Sequence, residues 1–344
     1  MSTKPPQPTE QRLQAARQIL ANRFLGKPAG RNVVGVGIGP KLIEGVDTGT
    51  TSVRVYVSIK HPLEHVAASS VVTSPFPDVS TDVIAMDFPV SPFPGVRHEE
   101  ADGHSGANIA PGASIGPHQA GNPHSISGTL GLVIKDKKKK LYILGTNHVL
   151  AIKGRVPVGT DIVSPAFEDL HHAENPIAFA ELESSVPLLH GEVNFVDCAL
   201  AKVKDGYAGK VSPVFPDGRT ITDIEVPKIG DKVVMFGKST GKLTGTVTDI
   251  TAEMIVDYGF GTFRFADQFL IEWDDGGLAA DGDSGAAVVL KDKDAAVGLA
   301  FAPVGKLTVA CKLSRTMKEL SERIEAKLEL AKPETARAMS AQKT

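Results

Sequence analysis

From Gly128 to Leu313 the chain is written in short apolar stretches cut by glycine and proline turns, and this texture limits the fold more than any other feature. Such stretches suit antiparallel barrels or sandwiches. Thr129–Lys135 and Leu141–Leu144 flank a turn of Asp136 and four lysines and read as a hairpin whose solvated tip is the lysine run. At Leu313 the pattern gives way to a helix. Thr316 and Glu319 have capping-box spacing, Met317, Leu320, Ile324 and Leu328 form an apolar stripe, and Pro333 ends it. That stripe either packs on the β region or offers a face to a second subunit, so a homo-oligomer through this helix is one expectation.

Ahead of the β region, residues 1–8 are polar and proline-rich. A helix is expected from Thr9, with Leu13, Ala16, Leu20 and Phe24 on one face and Gly26 after it. Val33–Ile38, the alternating run from Val53 to Ile59 and Asp82–Phe88 read as strands, with a short helix near Pro62–Ser69. The expected domains are a tail and helix (1–29), a small α+β unit (30–90), an extended linker (91–126), a β domain (127–313) and a C-terminal helix and tail (314–344). Gly35, Gly37 and Gly39 lack dinucleotide-fingerprint spacing and lie within a strand, so no cofactor role is expected there. His98, His104, His118 and His124 have no carboxylate or cysteine at metal-ligand spacing. The expectation is no metal and no cofactor.

A formal net charge of −3 argues against a general nucleic-acid or anionic-membrane binder. No apolar run approaches the roughly 18 residues of a membrane span. Two cysteines, Cys198 and Cys311, provide no disulfide framework, which suits a reducing, cytoplasmic setting.

Three segments carry chemistry, in the order His, Asp, Ser. A strand ending Leu144-Gly-Thr-Asn leads into His148; Asp197 opens the apolar strand Cys198–Val203; and Gly282-Asp283-Ser284-Gly285 precedes an apolar run. A serine on a glycine-flanked turn is accessible to a carbonyl group. Imidazole is the base whose ordinary pKa lies nearest neutrality, and an anion beyond it fixes its tautomer. The amides of Gly282 and Ser284 can converge on a developing oxyanion.

With Ser127-Gly-Thr-Leu-Gly, Ile143–Ala151, Asn194–Ala201, Gly237–Val247, Gly282–Gly285 and Val297–Ala302 in this order, the chain resembles a trypsin-like, chymotrypsin-fold serine peptidase. More narrowly, it is similar to the disulfide-poor branch of bacterial and plant narrow-leaf type proteins. The resemblance covers residues 127–313. It implies a mainly β fold of two six-stranded antiparallel barrels with the site between them. His148, Asp197 and Ser284 are then catalytic, and Gly282 and Ser284 supply the oxyanion hole. The strand through Gly298, Phe301 and Ala302 lines a substrate channel for a polypeptide, with Leu278 at the position that often sets side-chain preference. Leu278 implies an apolar pocket, whereas Asp274, Asp275 and Asp281 would attract a basic side chain. No activation sequence precedes Ser127, so Asp283 needs a partner other than a new N-terminus.

Two further motifs are set aside. Gly237-Lys238-Ser239 lacks the earlier glycine of a P-loop, since Lys232 stands there, and no helix follows it. Cys198 points to the face opposite Asp197 and reads as a core residue. The expected activity is serine endopeptidase. The alternatives are a peptidase-fold binding protein with an idle triad and a self-processing enzyme that cuts within 91–127.

Overall fold

A computed structural model of the chain describes residues 8–26, 32–90, 109–118, 126–170, 175–259 and 261–333. Helix α1 (Glu10–Leu25) starts where expected, because the Thr9 hydroxyl accepts a hydrogen bond from the Arg12 amide at 3.3 Å. Its face of Leu13, Ala16, Leu20 and Phe24 packs on the hairpin β1 (Val33–Ile43) and β2 (Val46–Val57). Strand β3 (Ser80–Ala85) lies parallel to β2. The short helix expected at 62–69 is instead two separate 3-10 turns, Leu63–His65 and Ala68–Ser70.

The next strands are β4 (Ser114–Pro117), β5 (Gly128–Thr129), β6 (Leu132–Asp136), β7 (Leu141–Gly145), β8 (Asp161–Ser164), β9 (Ile177–Ser185), β10 (Val193–Asn194) and β11 (Ala199–Val203). A one-turn helix α2 (Asn147–Leu150) follows β7. Pairing runs β6-β7-β11-β9-β8-β4-β5. Since β5 continues into β6 after two residues, the ring closes as a six-stranded barrel with β5 and β6 as one bent strand. Ile115, Ile143, Leu150 and Phe179 belong to its core.

The second barrel uses β13 (Lys232–Gly237), β14 (Gly241–Asp257), β15 (Thr262–Trp273), β16 (Ala287–Leu290), β17 (Ala295–Val304) and β18 (Leu307–Lys312), with the small strand β12 (Asp223–Ile224) at its side. These six strands pair around a ring, β13-β14-β15-β18-β17-β16 and back to β13. Closure pairs each of these six strands with a neighbour on both sides. Along β13 the side chains alternate between two buried environments. Val233 and Met235 join the barrel-two core, and Val234 and Phe236 join a larger cluster with Leu132, Leu144 and Leu200 of barrel one. Apolar side chains of both barrels thus share one buried cluster, which holds the barrels together.

Three boundaries differ from the sequence expectation. Residues 114–117 lie in the expected linker but form the strand that closes barrel one; they are too short and glycine-containing to register as a strand alone. Residues 91–108 and 119–125 of that linker, with His98, His104 and His124, fall outside the described residues, whereas the His118 amide donates to Asp161 O at 2.7 Å. The α+β unit is not a separate sheet: β1 pairs with β14, Gly35 opposite Met254 and Val36 opposite Glu253. A Cβ at Gly37 would run into the Asp249 carboxylate, so the glycines of β1 permit close approach to β14. Finally, helix α3 is Leu313–Arg323, starting three residues before the expected cap, and Leu328–Leu330 form strand β19 on β6. Thr316 is buried beside Cys311 instead of capping. Met317, Leu320 and Leu328 are buried within the chain, so the stripe holds α3 and β19 onto the barrels.

Candidate active site

Strand register brings His148 and Asp197 together. Ala199 of β11 faces Gly145 of β7, so residues just past the end of β7 meet those just before β11. The His148 amide, at the start of the one-turn helix α2, donates to Asp197 Oδ1 at 3.1 Å. The imidazole Nδ1 lies 2.6 Å from Asp197 Oδ2. A carboxylate can only accept there, so Nδ1 carries the proton and Nε2 is left as the acceptor. Burial alone would raise the Asp197 carboxyl, but His148 and a hydrogen bond from Tyr258 more than offset it, and its pKa falls below the ordinary value.

Ser284 comes from the turn before β16. The turn is pinned from both barrels: Thr129 donates its amide to the Ser284 carbonyl at 2.8 Å, and Gly285 donates to Ala300 O at 2.8 Å. The Thr129 hydroxyl donates to the Gly282 carbonyl at 2.8 Å and accepts from the Lys238 amide at 2.9 Å. Gly282 adopts φ +94°, a conformation suited to glycine. Among the described residues the amides of Gly282 and Ser284 donate to no protein acceptor.

Asp283 has its partner in the turn after β13. Its Oδ1 accepts from the amides of Ser239 (3.0 Å) and Thr240 (3.1 Å), and its Oδ2 from the Thr240 hydroxyl (2.7 Å) and the Ala280 amide (2.9 Å). No side-chain cation is among these partners, and burial raises its pKa despite the four donors. Gly237 allows the approach, since a Cβ there would strike the carboxylate. The Gly237-Lys238-Ser239 segment therefore serves the serine turn. Beside it, Lys238 Nζ pairs with Asp169 of barrel one at 2.6 Å, an ion pair spanning the barrels.

The site is closed. His148 and Asp197 are 0% exposed and Ser284 is 3% exposed. The Ser284 hydroxyl donates to the Phe301 carbonyl at 3.3 Å, and His148 Nε2 is buried without a hydrogen-bond partner among the described residues.

The four residues expected to line a channel differ in their surroundings. Leu278 is 55% exposed, because the turn at 274–276, with Asp275 and Gly276 at positive φ, carries the chain out of β15 into solvent. A Cβ on Gly298 would meet the Phe269 ring and the Cys311 carbonyl, so this glycine serves barrel packing. Phe301 and Ala302 are buried in the inter-barrel core, and Phe301 touches the site through its carbonyl. Cys198 and Cys311 are buried free thiols.

One residue of the site has no local sequence signal. Tyr258 follows β14, its hydroxyl donates to Asp197 Oδ2 at 2.7 Å, and its ring stands edge-on to the imidazole with centroids 5.7 Å apart. A tyrosine in Asp257-Tyr258-Gly259 reads as a hairpin end. Only the long β14–β15 hairpin carries it across to the triad.

No protein-family model and no curated protein matches the chain. Among solved structures it is similar to the Nocardiopsis protease NAPase (15% identity, 66% of this chain and 100% of that one, TM-score 0.45). It is also similar to Thermobifida fusca protease A (15%, 65% and 100%, TM-score 0.43) and to Cellulomonas bogoriensis chymotrypsin (14%, 65% and 98%, TM-score 0.42). The two closed rings of strands make this a chymotrypsin-like double barrel. The likeness is one of fold alone. Among the described residues no helix is long and apolar enough to cross a membrane.

Proposed function

We propose that the chain is a serine endopeptidase that cleaves polypeptides through an acyl-enzyme. The observation that carries this reading is the buried His148–Asp197 pair at 2.6 Å, which leaves Nε2 as the proton acceptor a general base requires. In this reading Ser284 Oγ turns from the Phe301 carbonyl to His148 Nε2. As the proton moves to Nε2, Oγ attacks the scissile carbonyl carbon. The carbonyl oxygen takes up the negative charge against the amides of Gly282 and Ser284. The imidazolium then protonates the departing amine, the C–N bond breaks, and water attacks the acyl-enzyme by the same proton route in reverse. The chemistry uses side chains and backbone amides and needs no metal or cofactor. The burial of both free cysteines fits a cytoplasmic setting, which is part of the proposal.

Turnover requires the cleft to open, because Ser284 is 3% exposed. A second reading draws on the same closure: a peptidase-fold binding protein whose serine stays on the Phe301 carbonyl. A fluorophosphonate probe separates the two. Under the peptidase reading the full-length protein forms a covalent adduct on Ser284, and Ser284→Ala forms none. No adduct in the wild type between pH 6 and 9 would leave the binding-protein reading.

A further inference from the structure

We propose that Tyr258 is a positioning residue of this site, its hydroxyl holding Asp197 in place as the orienting anion for His148; the proposal rests on His148 acting as the general base. The argument is one of independence. Asp197 is held at Oδ1 by the His148 amide (3.1 Å) and at Oδ2 by His148 Nδ1 (2.6 Å) and the Tyr258 hydroxyl (2.7 Å). Two of these three contacts come from the residue that Asp197 is meant to orient. Tyr258 is the fixture that does not move with His148.

Its own position is set from several directions. Lys153 Nζ donates to the Tyr258 carbonyl at 2.9 Å and lies 5.1 Å from the ring centroid. The Tyr258 amide donates to Gly261 O at 3.0 Å, and the ring packs edge-on against Phe263 at 5.3 Å. One residue earlier, the Asp257 amide donates to Pro89 O at 2.9 Å, so the N-terminal unit braces the end of the hairpin. Burial, and then the adjacent Asp197, push the Tyr258 pKa well above its ordinary value. The phenol therefore stays a neutral donor at working pH.

A hydrogen bond to a buried carboxylate draws charge from the oxygen that faces the imidazole. Removing it leaves Asp197 more strongly attractive to imidazolium and less firmly placed. The test is a histidine NMR titration on the full-length protein, with the His148 signal assigned by its loss in His148→Ala. Three forms are compared: wild type, Tyr258→Phe, and protein with 3-fluorotyrosine at position 258. The phenylalanine keeps the ring and its packing. It should raise the His148 titration midpoint and shift the Nδ1 proton resonance. The fluorinated phenol, a stronger donor, should move the midpoint the other way. In turnover assays kcat of Tyr258→Phe should fall about tenfold with KM nearly unchanged. An unchanged midpoint and resonance in both variants would overturn the proposal and make Tyr258 a packing residue. If Tyr258→Phe does not fold, the nearly isosteric fluorotyrosine protein decides. A wild type that neither turns over nor labels would sink the peptidase reading, while the titration still reports whether Tyr258 holds the pair.

Discussion

The Ser284 hydroxyl donates to the Phe301 carbonyl at 3.3 Å, although Ser284 lies on a turn held from both barrels. The hydroxyl is thus held on a strand of its own barrel. His148 Nε2 has no hydrogen-bond partner among the described residues, while the turn backbone is held by Thr129, Ala300 and the Asp283 carboxylate.

The triad should behave as one unit. Ser284→Ala and His148→Ala are each expected to lower turnover about a million-fold, and the double variant no further. Asp197→Asn should cost about ten-thousand-fold by favouring the wrong imidazole tautomer. Single-turnover kinetics on a peptide ester checks this, and additive losses in the double variant would show that the residues do not act together.

Asp283→Asn should disorganise the oxyanion turn. Asparagine presents one accepting oxygen, so either the Ala280 amide or the paired amides of Ser239 and Thr240 meet an NH2 group instead of an acceptor. Probe labelling is expected to slow by about a hundredfold or more, with the fold retained by circular dichroism. Labelling at the wild-type rate would mean that the turn holds its shape without the carboxylate.

Lys153 makes stability depend on alkaline pH. Burial lowers its pKa from 10.5 to about 8, with Asp197 acting in the opposite direction. A group whose folded pKa is depressed contributes stability that is present above the unfolded pKa and lost as pH falls through the folded one. Denaturant midpoints should therefore rise between about pH 8 and 10.5 in the wild type relative to Lys153→Met. Parallel curves for the two proteins across that window would contradict the assignment.

The N-terminal unit should not separate from the barrels. Arg17 of α1 reaches Glu253 of β14 at 3.1 Å, and Glu253, 2% exposed, also pairs with Arg264. Glu253→Ala removes the carboxylate shared by two partly exposed arginines and is expected to cost about 1–3 kcal/mol, read from urea melts. A protease site engineered between residues 91 and 108, once cut, should give fragments that still co-elute in size exclusion. Release of the N-terminal fragment would show that the β1–β14 pairing is too weak to hold it.

Much of this protein was legible along the chain. The period-two strands, their turns and the cap at Thr9 are decided by near neighbours, so α1, the β6–β7 hairpin and the strand content could be read locally. The meeting of His148 with Asp197 and the turn at Ser284 were legible because these residue types stand out in short contexts at strand ends. Tertiary structure alone decided where sheets continue and what touches what. Pairing of β1 with β14 joins residues more than 200 positions apart, and no local pattern specifies a partner at that distance. The same holds for β4, for the Gly237–Thr240 cradle of Asp283, and for Tyr258 behind Asp197. Leu278 makes the converse point. Its place in the sequence implied a pocket wall, but the left-handed turn before it sends the side chain into solvent. Local spacing constrains backbone direction for a few residues; the direction a side chain finally faces is set by the packing of the two barrels.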